Sequence, residues 1–219
     1  NNVINNTQQV NIYTSGYTNF WDDGYPSGGN YWSDYNGRDL RSGPFQNLTG
    51  SDGIGDTPYE IDANNQDNYP LMHPYGSIRN LDTNLTYFTI QSAINAPETL
   101  TGHTIFVRSG VYNEMKGVIV SKSISLIGES RDFTIITGGG IVVDATTNNV
   151  VISGFAIFNC YEGIELFGVG CTVSNNTVVY NIWGITLRNS TNNMIGNNII
   201  VANNYNVYLS ESTNNTISQ

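Results

Sequence analysis

Residues 148–215 read NNVVISGFAIFNCYEGIELFGVG (148–170), CTVSNNTVVYNIWGITLRNSTNN (171–193) and MIGNNIIVANNYNVYLSESTNN (194–215). The apolar residue near the start of each line, Ile152, Val173 and Ile195, is followed fourteen residues later by Leu166, Leu187 and Leu209. Gly163-Ile164 recurs as Gly184-Ile185. Short β-branched runs that return every 21 to 22 residues between Asn-rich corners are the signature of a parallel β-helix, since one such turn cannot bury its apolar face alone and a stack of turns can. The expected fold is therefore all-β: a right-handed parallel β-helix of 21–22-residue coils with an irregular aromatic and acidic insert and a short capping helix.

Working outward, residues 1–13 (NNVINNTQQVNIY) carry the pattern of a coil's second half. If a second copy of Asn1 followed Gln219, Ile12 would lie fourteen residues after Ile217, as in the three lines above. Residues 1–13 then complete a coil begun by a preceding copy, and coils run on past the C-terminus. Ile217, Val3, Val10 and Ile12 are the expected self-assembly residues, joining copies of the chain head to tail as a polymer or a tandem array. The alternative is a segment cut from a larger protein, and Asn1 itself reads as a processed or excised end.

Residues 14–80 lose the periodicity. They hold half of the acidic residues and two of the three tryptophans, with Gly and Pro throughout, which predicts a turn-rich insert held by aromatic packing. Residues 81–102 form a linker and a capping helix, roughly Phe88 to Ala96, with Phe88, Ile90, Ala93 and Ile94 on one side and Pro97 limiting its extension. Residues 103–219 return to β-helix coils, with corners at Gly110, Gly128 and Gly138 to Gly140.

Net charge is −10, only 12% of residues are charged, and the eight basic residues from Arg38 to Arg188 form no patch, which excludes a nucleic-acid partner. No run is long enough for a membrane-spanning helix. Low Lys with abundant Asn, Thr and Tyr points to an extracellular, cell-surface location. Six sequons, at Asn5, Asn47, Asn84, Asn175, Asn189 and Asn214, are glycosylation candidates, though an Asn-rich chain produces some by chance. Cys160 and Cys171 fall at different phases of the repeat and read as small buried hydrophobes rather than a disulfide.

The run from TIQSAINA through HTIFVRSGVYNE, GVIVSKSISLIGE and TIITGG to NNVVISGFAIFN resembles the pectin-lyase-like right-handed β-helix superfamily. Within it, the chain is similar to archaeal surface proteins whose repeats resemble the periplasmic copper-binding family of nitrous oxide reductase maturation. The segments FWDDGYPSGGNYWSDYNGRD and SDGIGDTPYEID look like those that close β-helices in methanogen surface proteins. The resemblance implies secreted proteins built from several such modules and implies no particular reaction.

The strongest chemical constellation is acidic. Asp34, Asp39, Asp52, Asp56 and Asp62, joined by Asp67, lie among Gly and Asn, and SDGIGD sets two carboxylates four residues apart. Calcium takes six to eight oxygens and suits such a loop, so structural Ca2+ is the suspected cofactor; the loop is not an EF-hand. Asx-turns without metal are the competing reading. His73 beside Met72 and the distant His103 do not make a copper site.

No catalytic residue is identified, and the chain is read as a non-enzyme. At the phase of Glu162 the following coils carry Trp183 and Tyr205; at that of Glu165 they carry Thr186 and Tyr208, so no acidic cluster builds up and Arg188 has no basic neighbour. Asp144 and Arg131 read as corner residues. Trp21, Tyr25, Tyr31, Trp32 and Tyr35 suit an aromatic mini-core better than a sugar platform, and Tyr161, Ile182 and Asn204 make no aromatic ladder. The expected role is a structural repeat unit of an extracellular archaeal filament, sheath or surface layer, with glycans as possible partners. A carbohydrate-binding or lyase-like secreted β-helix is the alternative.

Overall fold

The computed structural model describes residues 1–13 and 16–218; the expected start of the insert at residue 14 falls outside them. The chain forms two compact units, Asn1–Gly76 and Ser77–Gln219. The division falls just before Ile78–Asn80 because that strand pairs antiparallel with Thr104–Val107 and so belongs to the β-helix.

In the second unit each turn from Thr104 to Ser210 contributes one strand to each of three sheets, and Thr216–Ser218 adds one more strand to the first. The first sheet stacks Thr104–Val107, Ser125–Gly128, Val151–Ser153, Thr172–Ser174, Met194–Gly196 and Thr216–Ser218. The second stacks Gly110–Glu114, Thr134–Gly138, Ala156–Cys160, Thr177–Val179 and Ile199–Val201, and the third stacks Val118–Val120, Ile141–Val143, Glu162–Leu166, Trp183–Arg188 and Tyr205–Ser210. All successive coils pair in parallel. The alternation of each strand sends one row inward. Ile105, Leu126, Ile152, Val173, Ile195 and Ile217 form the row of the first sheet, and Tyr112, Ile136, Ile157, Val178 and Ile200 that of the second. The expected spacing holds from Ile152 onward; between Leu126 and Ile152 the chain takes 26 residues, which lengthens that coil beyond the repeat.

The helix spans Ile90–Asn95, starting two residues later than the sequence predicts because Thr89 takes the N-cap position in a reciprocal capping box with Ser92. Ile90, Ala93 and Ile94 are buried. Ala96 leaves helical geometry (φ −53°, ψ 134°), as the residue before a proline must. Lys122 reaches the segment that follows, donating from Nζ to the carbonyl oxygens of Ala96 (2.7 Å) and Thr99 (2.8 Å).

Asparagine closes the coils. Asn149, Asn175, Asn189, Asn192, Asn197 and Asn214 all adopt positive φ, which Asn tolerates better than most residues. Others point their side chains into the stack. Asn176 donates from Nδ2 to the carbonyl oxygens of Ile152 (3.1 Å) and Ser174 (3.0 Å), and its Oδ1 accepts from the Phe155 amide (3.0 Å). Asn198 repeats this one coil on, its Oδ1 accepting from the Asn176 amide (3.0 Å), and parallel ladders run from Asn181 to Asn203 and from Asn193 to Asn215. The recurrent Gly163 and Gly184 have a steric cause: a Cβ at Gly163 would lie 2.6 Å from the Gly184 carbonyl oxygen, and one at Gly184 would collide with that of Asn206.

The first unit is built from short strands. Asn2–Val3 pairs in parallel with Tyr31–Trp32, Arg41–Ser42 pairs antiparallel with Leu48–Thr49, and Tyr59–Asp62 with Asn65–Asp67. Its core is aromatic: Trp32 is 1% exposed, stacks on Tyr59 at 4.4 Å and 8°, and has Trp21 at 6.1 Å.

Candidate functional site

Two places gather chemistry-bearing side chains. In the first unit the five acids of the calcium expectation do not form one set. Asp34 accepts from the Tyr59 hydroxyl (3.1 Å), and Asp62 accepts from the Asn64 amide (2.8 Å) and Asn65 Nδ2 (2.9 Å). Asp39, Asp52 and Asp56 do approach one another, and each is spent on backbone amides. Asp39 accepts from the Asp52 and Gly53 amides at 3.0 and 2.8 Å, Asp52 from Gly43 and Ile54 at 3.2 and 3.1 Å, and Asp56 from Arg41 at 3.0 Å. Burial pushes the Asp39 carboxyl up to about 7 against these hydrogen bonds, and the charges of Asp52 and Asp56 add to the rise. Among the described residues no three His, Cys, Asp or Glu side chains converge as a metal-holding group. A calcium here would draw on two or three carboxylates already accepting amide protons, with carbonyl and water oxygens completing its shell.

Asp67 is the acid that organises this unit. It is fully buried and accepts from the Asn30 amide (2.7 Å), Trp32 Nε1 (2.9 Å) and the Tyr69 amide (3.1 Å), while burial raises its pKa. Nearby, Asn65 Oδ1 accepts from the Asn19 amide (2.8 Å) and Trp21 Nε1 (3.1 Å) beside a cleft of about 440 Å³ that Phe20, Trp21 and Asp22 help to line.

The second place is the outward face of the third sheet. Arg188 bonds Glu162 through Nη2 and Glu165 through Nε, both at 2.7 Å, and its guanidinium lies 5.5 Å from the ring centre of Tyr208. Trp183 stacks on Tyr205 at 4.2 Å and 14°. Burial and a hydrogen bond with Glu162 push Glu165 up to about 7, against the pull of Arg188. Comparison of residues at equal phase hides this triad, because Arg188 reaches diagonally to the preceding coil. The stacked pair Trp183 and Tyr205 likewise stands one residue beside the column of Tyr161, Ile182 and Asn204, with Glu162 before it at the same phase. As chemistry, the triad clamps two coils together, with each carboxylate held by the same guanidinium.

The remaining predicted residues are dispersed. All six sequon asparagines are exposed. Cys160 and Cys171 are buried free thiols. His73 is half-buried, and its desolvation pushes its pKa down to about 4, while His103 Nδ1 lies 3.1 Å from Nδ2 of the buried Asn80. Val3, Val10 and Ile12 are partly exposed in the first unit, and Ile217 is 48% exposed on the last strand of the first sheet.

Among known proteins, the chain is 38% identical over 103 residues to a cell surface glycoprotein of Methanothermus fervidus, a match that covers 46% of this chain and 17% of that protein. A solved structure of a pectin methylesterase mutant in complex with a hexasaccharide superposes with a TM-score of 0.41 at 16% identity, over 53% of this chain and 47% of that one. The family described as periplasmic copper-binding protein (NosD) matches residues 76–219, and the chain belongs to that family.

Proposed function

We propose that the chain is a non-catalytic structural module of an extracellular archaeal filament, sheath or surface layer, in which another copy of the module continues each β-helix. The observation that carries this reading is the regular stack: three parallel sheets whose inward rows repeat coil on coil, tied by asparagine ladders and by the Arg188–Glu162–Glu165 clamp, with no catalytic arrangement needed for that regularity. A stack in which each coil contacts only its neighbours suits a solenoid module of an extended assembly. The surface location is supported by the cell surface glycoprotein to which the chain is similar and by the exposure of every sequon asparagine. Structural calcium in the first unit is part of this proposal, drawing on two of the carboxylates of Asp39, Asp52 and Asp56 with backbone carbonyl and water oxygens completing its shell.

Light scattering and electron microscopy of the purified chain test the reading. Rods or concentration-dependent particles many times the monomer mass are expected; a monodisperse monomer at high concentration would falsify it. A glycan-binding module is the second reading, favoured by the cleft beside Trp21, where Phe20 is 99% exposed. Saturable binding of a defined oligosaccharide, lost in Trp21→Ala, would replace the structural role.

A further inference from the structure

The corner between the second and third sheets differs from the other two. On three successive coils it reads FNCY (158–161), VYNI (179–182) and VANN (201–204), with no charge at any position in a chain of net charge −10. Parallel pairing sets Phe158, Val179 and Val201 side by side, and the Ile182 and Trp183 amides, donating to the carbonyls of Cys160 (3.3 Å) and Tyr161 (2.9 Å), set Ile182 over Tyr161. Tyr161 is 67% exposed, Tyr180 69%, Ile182 39% and Val201 49%. No sequon falls on this corner, whereas Asn175 stands between the first and second sheets, and Asn189 and Asn214 between the third and the first.

Tyr180 is an independent sign that this ridge meets a partner. It holds the left-handed corner at φ 57°, where the coils on either side have Asn159 (56°) and Ala202 (55°). A bulky side chain in that conformation is strained, and an exposed ring returns little by burial within its own chain. The support beneath is fixed: the Cys160 amide donates to Asn181 Oδ1 (3.0 Å), and the Asn181 amide to Asn203 Oδ1 (2.9 Å). Side chains on so rigid a backbone lose little freedom on docking. Exposed tyrosines among aliphatic residues, without charge, are the composition of a protein interface core.

We infer that this ridge is where a second copy of the chain packs side by side with the first, ridge against ridge. The inference rests on the structural-module reading above and adds a lateral contact to it. Two acidic copies approach at least cost along an uncharged strip. Both have the same coil spacing, so the side chains of one ridge fall between those of the other on all three coils. A patch three coils high, about 14 Å at the usual strand spacing, covers less than the roughly 800 Å² a side of a stable dimer. Two isolated chains therefore associate weakly, and the contact becomes firm where several modules present it at once.

Cysteine trapping reads such encounters. Ala202 and Asn159 are exposed corner residues, and Asn175, exposed at φ 55° on another corner, is the matched control. The native Cys160 and Cys171 are buried and do not compete. Ala202→Cys chains alone, Ala202→Cys mixed with Asn159→Cys, and Asn175→Cys alone are treated with a short bifunctional thiol reagent. A two-fold axis along the stack sets Ala202 opposite its own copy, and one across the middle coil sets it opposite Asn159. At least tenfold more covalent dimer than the control is expected in one of the two, abolished by adding Ile182→Asp at the exposed centre of the ridge. Yields equal to the control, or unmoved by Ile182→Asp, overturn the contact. If in that case a neutral oligosaccharide binds by calorimetry and Tyr180→Ala removes the binding, the ridge belongs to a glycan instead. Light scattering of the unmodified chain separates the failures: large particles without preferred cross-linking leave the end-to-end reading standing and remove the ridge, and monomers that cross-link preferentially keep the ridge and remove end-to-end stacking.

Discussion

Asn176 carries more of the stack than its size suggests. Its side chain satisfies the buried Phe155 amide, a carbonyl of the preceding coil and the carbonyl of Ser174 at the end of the strand before it. Removing it leaves those groups without water or partner, which costs about 1–3 kcal/mol for each group that cannot relax. Asn176→Ala is expected to destabilise the β-helix by about 2–3 kcal/mol, read as the denaturation midpoint at constant slope, while Asn175→Ala at the exposed corner next to it costs under about 1 kcal/mol. Equal effects would refute the ladder's role. The pairs Asn176/Asn198 and Asn181/Asn203 were visible in the sequence as a 22-residue recurrence, yet Asn serves equally at corners and inside. Only the fold separates the buried Asn176 from the exposed Asn175.

Among the elements, the helix Ile90–Asn95 is tied to the stack at both ends. Lys122 takes the carbonyls that follow it, and at its start the Ile90 amide donates to Glu114, which is 7% exposed on the second sheet. Burial pushes Glu114 up to about 7, with the amide bond opposing. Between its ordinary value near 4.5 and about 7 the folded chain holds a proton that the unfolded chain has released, so stability is fully present at the low end and is lost as pH rises through about 7. Melting of the β-helix should therefore fall from pH 5 to pH 8. Glu114→Gln should flatten that slope and raise the melting temperature at pH 8; an unchanged slope would assign the pH dependence elsewhere, with Glu165, also pushed up to about 7, next to be replaced. The helix itself was readable from its apolar face and Pro97. Its anchors were not, because Glu114 and Lys122 lie on different coils and no local pattern joins them to residues 90–99.

For the whole molecule, the two units invite separate tests. The grouped carboxylates of Asp39, Asp52 and Asp56 make the first unit the part that should respond to calcium. Under the proposal, chelation lowers the midpoint followed by the fluorescence of Trp21 and Trp32 and added calcium restores it; an indifferent midpoint would confine these acids to their amide bonds. The sequence by itself determined the β-helix, its period and its cap, because a repeating core demands the same residue types at the same spacing. Only the tertiary structure decided which asparagines ladder, which acid is buried under Trp32, and that Arg188 clamps Glu162 and Glu165. Those contacts join residues on different coils or hairpins, and their partners are chosen by proximity across strands, which a one-dimensional period does not encode.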